Sequence, residues 1–132
     1  MIVRMAKISL NDFVESVKHG LWGSKINSLS KWNPGDKLIF NVDRKLAAVA
    51  EVTGEAFKDE TPLWGNGTFP YRIPIKFNCI LKENDMIPFN DEIIGTLMEE
   101  WGFNYGWGIV TKRAMSKETA NRLISMISEK VG

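Results

Sequence analysis

Five tryptophans stand in this 132-residue chain, and three of them occupy places that are not the apolar face of a regular element. Trp22, in Leu21-Trp22-Gly23-Ser24, and Trp64, in Pro62-Leu63-Trp64-Gly65-Asn66-Gly67, read as residues of glycine-flanked loops. Trp107 lies in Trp101-Gly102-Phe103-Asn104-Tyr105-Gly106-Trp107-Gly108, an aromatic and glycine segment unlike a regular helix. Loop indoles either plug the ends of a barrel or converge on a cavity. Two that converge form a stacking clamp for a nucleobase, worth about 1–3 kcal/mol per base. A methylated base adds an apolar group that suits aromatic walls.

The polar residues near these indoles allow a matching chemistry. Asp12 has a carboxylate that could accept a hydrogen bond from an exocyclic amino group or a protonated ring nitrogen. It also stands three residues after Ser9, where it could close a helix capping box instead. Ser24 and Asn27 can contact a base edge or satisfy the backbone of their own loop. Lys25, Lys112 and Arg113 are candidates for phosphate neutralisation, against the plain alternative of a solvated surface.

Catalysis has little to work with. His19 is the sole histidine and Cys79 the sole cysteine, too few for a common zinc site. There is no phosphate-binding Gly-rich loop ending in Lys-Ser/Thr, no nucleophile elbow, no dinucleotide fingerprint after a strand and no paired-histidine metalloprotease helix. The acid pairs Asp91-Glu92 and Glu99-Glu100 sit in charge-rich stretches. We expect a non-enzymatic protein without metal or cofactor.

The net charge of +1 conceals a segregation. Residues 1–82 carry a net +4, residues 83–111 carry six acids and no base, and residues 112–132 carry a net +3. A protein that coats nucleic acid would be far more basic; one that reads a single nucleotide in a pocket need not be. No apolar run approaches the ~18 residues of a membrane helix, and a lone cysteine suits a reducing compartment. The expectation is one domain over residues 1–132, cytoplasmic and off the membrane.

The elements that must hold these residues are short. A strand over 2–8 leads to a helix that Ser9 caps, with Phe13, Val14 and Val17 as its apolar stripe and Gly20 as its stop. Asn33-Pro34-Gly35-Asp36 is a turn. Strands over 37–42 and 46–53 flank a hairpin loop at Asp43-Arg44-Lys45, and a long strand follows over 71–81, with Pro74 marking an edge or bulge. Residues 91–100 read as a helix, 109–114 as a last strand, and the stretch after Ser116 as a terminal helix with Ala120, Leu123, Ile124 and Ile127 inward. This order predicts a mixed α+β barrel of about five to six strands flanked by helices.

Several segments resemble EVE domains: Trp22-Gly23-Ser24, Asn27-Ser28-Leu29-Ser30, Pro34-Gly35-Asp36-Lys37-Leu38-Ile39, Ala48-Val49-Ala50-Glu51-Val52-Thr53-Gly54-Glu55, Phe69-Pro70-Tyr71-Arg72-Ile73-Pro74-Ile75 and Met86-Ile87-Pro88-Phe89. The resemblance spans residues 1–125 in order. It implies a PUA-like fold related to YTH domains and recognition of a modified base in nucleic acid, DNA or RNA, in some systems beside a separately encoded nuclease. In the related YTH pattern Trp22 and Trp64 hold the places of two cage residues, and Asp12, ten positions before Trp22, that of a base-edge contact. Trp101, Phe103, Tyr105 and Trp107 compete for the third wall. The implied base-binding set is Trp22, Trp64, Asp12, Gly23, Ser24, Asn27, Tyr105 and Trp107, with Lys25, Lys112 and Arg113 on phosphates. Two other readings compete: an RNA-binding module indifferent to modification, and a sensor of a free nucleotide or metabolite.

Overall fold

A computed structural model describes residues 1–131. Its centre is a curled mixed sheet in which β1 (Val3–Ile8), β3 (Lys37–Val42), β4 (Lys45–Val52), β6 (Tyr71–Ile80) and β2 (Leu21–Ser24) lie side by side in that order. β1 pairs in parallel with β3, and β3 runs antiparallel to β4. Between β1 and β3 the chain makes a helix, α1 (Leu10–His19), and the short strand β2. Ser9 caps α1, its Oγ accepting the Asp12 N–H at 3.3 Å, and Gly20 ends it in the left-handed region at φ 64°. Phe13 faces the core, but Val14, expected on the same stripe, is exposed. Adjacent helical residues diverge by about 100°, and the buried arc here runs through Phe13 and Ser16.

β3 and β4 meet at Asp43-Arg44, with φ of 49° and 60°. This is a primed two-residue turn whose twist matches the flanking strands, so Lys45 begins β4 rather than ending a loop. β6 joins two parts of the sheet. Its residues 75–80 pair with β4, while 71–74 pair with β2 and with β5 (Phe57–Lys58). Pro74, which has no N–H to donate and is expected at an edge or bulge, sits where β6 exchanges one partner for the other. Register shifts at Phe40/Asn41 and Val49/Ala50 bend the strands into the curl. A last short strand, β7 (Ile87–Pro88), adds to β4. The expected barrel-like α+β architecture is present; two-residue strands raise the count to seven.

Phe13, Phe40, Phe77 and Trp22 interlock inside the curl, with ring centroids 5.3–5.9 Å apart. Outside it lie α2 (Asp91–Trp101), α3 (Tyr105–Val110) and α4 (Lys117–Val131), the last packed on β4 and β6. Ala120, Leu123 and Ile127 of α4 are buried. No described helix is long and apolar enough to cross a membrane.

Two sequence expectations fail between residues 101 and 114. The aromatic and glycine segment is helical, a 3-10 turn running into α3. The strand expected over 109–114 is absent; the chain turns at Thr111-Lys112, and only an isolated bridge joins Met115 to Val3. Packing overrides propensity here. A Cβ on Gly108 would collide with the Trp101 ring, so glycine lets α3 close onto that indole and bury Ile109. The β-branched run Ile109-Val110-Thr111 then finishes a helix, with Thr111 Oγ1 bonding the Trp107 carbonyl at 2.7 Å.

Candidate nucleic-acid interface

A cavity of about 630 Å³ opens where the end of β1, the start of α1, β2, the 61–70 loop and the turn after α3 converge. Trp22 and Trp64 both line it, and each is only 6% exposed. Trp22 is a strand residue, not a loop residue. β2 pairs it with Ile73 and turns its ring against Phe40, edge to face at 5.7 Å.

Trp64 is fixed from four sides. Its Nε1 donates to Ser16 Oγ at 2.9 Å, and its ring meets Phe69 edge-on with centroids 5.7 Å apart. The Arg72 guanidinium lies 5.1 Å from the ring centroid. The ring edge presses on Gly23, where a Cβ would stand 2.7 Å from two ring carbons. Gly23 therefore acts by having no side chain.

Arg72 anchors the whole loop. It is 1% exposed and donates to the carbonyls of Phe69 at 3.2 Å and Thr68 at 3.1 Å, and to that of Thr61. Its charge faces Asp59 at 3.7 Å. The Thr61 hydrogen bonds, and then Arg72, hold the Asp59 carboxyl below its ordinary pKa.

Asp12 is buried on the cavity wall, and Oδ1 accepts the Gly65 N–H at 2.9 Å. It thus ties α1 to the Trp64 loop, where the capping-box alternative would have turned it back on Ser9. Ser9 Oγ instead also accepts from Asn66 Nδ2 at 3.2 Å. Ser24 lines the cavity, with its hydroxyl accepting the Ile26 N–H at 3.2 Å. Lys25 and Lys112 lie at the wall, their ammonium groups 5.5 Å from the Phe69 and Trp22 ring centroids respectively. Burial pulls the Lys112 ammonium below its ordinary pKa.

Four sequence candidates stand outside the lining: Asn27, Tyr105, Trp107 and Arg113. Asn27 and Arg113 are exposed, the Tyr105 hydroxyl meets Arg44 at 3.4 Å, and Trp107 is 70% exposed. Trp101 and Phe103, the other contenders for a third wall, are also elsewhere. Two further aromatic residues line the cavity. Phe69 lines the cavity at φ 48°, and Trp32 lines it with Arg4 stacked 4.5 Å from its ring centroid. A positive φ is the signal that points to Phe69, and the stacked Arg4 the one that points to Trp32. Four described non-glycine residues have positive φ, and three of these, Asp43, Phe69 and Lys112, border this one cavity. Each costs on the order of 1–3 kcal/mol, which a fold tolerates where the surroundings over-determine the position.

Chemically the cavity offers aromatic walls, two carboxylates (Asp12 and Asp43) and three ammonium groups (Lys7, Lys25 and Lys112). His19 and Cys79 are not part of it, and among the described residues no three His, Cys, Asp or Glu side chains converge as a metal site. Such a site can stack a planar ring, accept from its amino groups and neutralise an anion.

No family model matches the chain, and no curated protein matches it. Solved structures do. The Mmi1 YTH domain in complex with RNA superposes with a TM-score of 0.72 at 14% identity, covering 98% of this chain and 79% of that one. The Pho92 YTH domain in complex with N6-methyladenosine gives 0.66 at 16%, covering 96% and 82%. Rpa0253 from Rhodopseudomonas palustris gives 0.61 at 15%, covering 97% and 94%. The chain has the YTH-like, PUA-like fold.

Proposed function

We propose that this protein is a non-catalytic nucleic-acid reader of the EVE type that takes one methylated base into the cavity between Trp22 and Trp64. The observation that carries this reading is the pairing of two buried indoles with a cation rim in one concave site. The likeness to YTH domains solved with RNA and with N6-methyladenosine supports it. The base would leave its stack, at a cost of a few kcal/mol, and regain about 1–3 kcal/mol by stacking on the aromatic walls. Asp12 has a second carboxylate oxygen for the base's amino edge, and Lys25 and Lys112 neutralise the flanking phosphates. In this reading the chain works in the cytoplasm, and any cleavage belongs to a separately encoded nuclease.

A second reading draws on the burial of both tryptophans and the several structural contacts of Trp64. There the indoles are scaffolding, and RNA binds without regard to modification. Tryptophan fluorescence titration separates the two. The probes are matched RNA and DNA oligonucleotides differing only in one N6-methyladenine or 5-methylcytosine. Quenching about tenfold more sensitive to one methylated form, and lost in Trp22→Ala that still folds by circular dichroism, is the expected result. Equal, salt-sensitive binding of every oligonucleotide would sink the modified-base reading.

A further inference from the structure

Lys112 sits in a place that a bound base would need. It follows α3 with a left-handed backbone, φ 53°, a conformation L-residues avoid. Its half-buried side chain lies over the cavity, Nζ 5.5 Å from the Trp22 ring centroid. No carboxylate answers this cation: among the described residues none lies within 4.0 Å of it, and its hydrogen bond is a long one, 3.5 Å, to the Val110 carbonyl. Of the two cavity carboxylates, Asp12 is engaged by the Gly65 N–H and Asp43 belongs to the β3–β4 turn. Burial already disfavours the charge. The ammonium is held by a ring face and little else.

We propose that Lys112 is a displaceable plug that makes the cavity select nucleotides within a phosphodiester chain over free nucleosides. This rests on the base-binding reading above. In the empty protein the ammonium covers the Trp22 face on which the base must stack, so a base inserts only when Lys112 swings away. A free nucleoside brings no anion, so the released cation has only water in return for the lost cation–π contact. A nucleotide in a chain brings its own anion, and a charge-assisted hydrogen bond to phosphate more than replaces the ring. The same side chain that excludes the nucleoside then holds the strand. A plain phosphate contact would help the strand and leave the nucleoside unaffected.

The test is equilibrium binding of the full chain, wild type and Lys112→Met, to N6-methyladenosine and 5-methylcytidine. Each is offered as the free nucleoside and as the centre of a single-stranded pentanucleotide. Methionine keeps an unbranched apolar stem one atom shorter and removes the charge. Lys112→Gly is the second variant; it relieves the positive φ and removes the side chain. Both variants should bind the preferred nucleoside about two- to thirtyfold more tightly, the size of an exposed-to-buried cation–π contact. Both should bind its pentanucleotide about three- to tenfold less tightly, with a log–log salt slope shallower by about 0.7. Nucleoside affinity that falls or stays unchanged would overturn the plug while leaving the base-binding reading intact. Wild-type protein that binds none of the four probes would overturn both.

Discussion

Two regions of this molecule look alike in sequence and differ in space. Both the Trp22–Trp64 side and the 101–110 segment combine indoles with glycines. On the first side Trp22 and Trp64 are each 6% exposed and walled into a cavity; on the second Trp107 of α3 is 70% and Phe103 of the preceding 3-10 turn 89% exposed. Long-range contacts account for the difference. Trp64 is pinned to Ser16, 48 residues away, and its loop to Asp12, 53 residues away. The second region is held through Gly108 on Trp101 and through the Tyr105 hydroxyl on Arg44, and neither contact covers Phe103 or Trp107. Aromatic residues mark a candidate site only once distant partners make the surface concave.

Breaking the cavity side should cost most at Arg72. Arg72→Met removes charged donors to three part-buried carbonyls, for a loss of about 3–5 kcal/mol in urea unfolding. A loss under about 1 kcal/mol would mean that the loop holds its shape without the guanidinium. Trp64→Ala comes next, at about 3–4 kcal/mol, since it empties a packed site. Its counterpart across the molecule gives the smallest effect: Trp107→Ala should stay within about 0.5 kcal/mol, as exposed substitutions do. Similar costs at 64 and 107 would erase the distinction between the regions.

An acid titration probes the cavity from a third direction, through Trp32. Burial alone would push the Asp36 carboxyl up, but the N–H groups of Asn33 and Ile2 and the Arg4 guanidinium outweigh it and hold its pKa below the ordinary value. The same Arg4 stacks on Trp32 in the cavity wall. A carboxyl depressed in the folded state stabilises above its unfolded pKa of about 3.9, and that stability is lost as pH falls through the lower folded value. Thermal stability should therefore drop below about pH 4. Asp36→Asn should lose about 1–3 kcal/mol at pH 7 and show a shallower acid limb; an unchanged acid limb would assign the drop to other carboxylates.

The local signals in the sequence were legible. Ser9 and Gly20 bounded α1, Asp43-Arg44-Lys45 marked the hairpin one residue too long, and Pro74 marked an irregularity in β6 that is an exchange of partners. What the sequence misplaced depended on packing across the fold. Ile109-Val110-Thr111 has the composition of a strand, yet a glycine against Trp101 makes it the end of a helix. Trp22 and Trp64 were legible as a pair, while the walls beside them, Phe69 and Trp32, were not. Their signal is a positive φ in one case and an arginine from β1 in the other, and neither has a spacing rule.

The central claim concerns which indoles meet the ligand, and the five indole N–H resonances in a ¹H–¹⁵N spectrum report on that directly. Addition of a pentanucleotide with a central N6-methyladenosine or 5-methylcytidine should shift the signals of Trp22 and Trp64, with a smaller movement at Trp32. Trp107 should stay in place. Shifts at Trp107 with Trp22 and Trp64 unmoved would contradict the account and transfer recognition to the exposed helix.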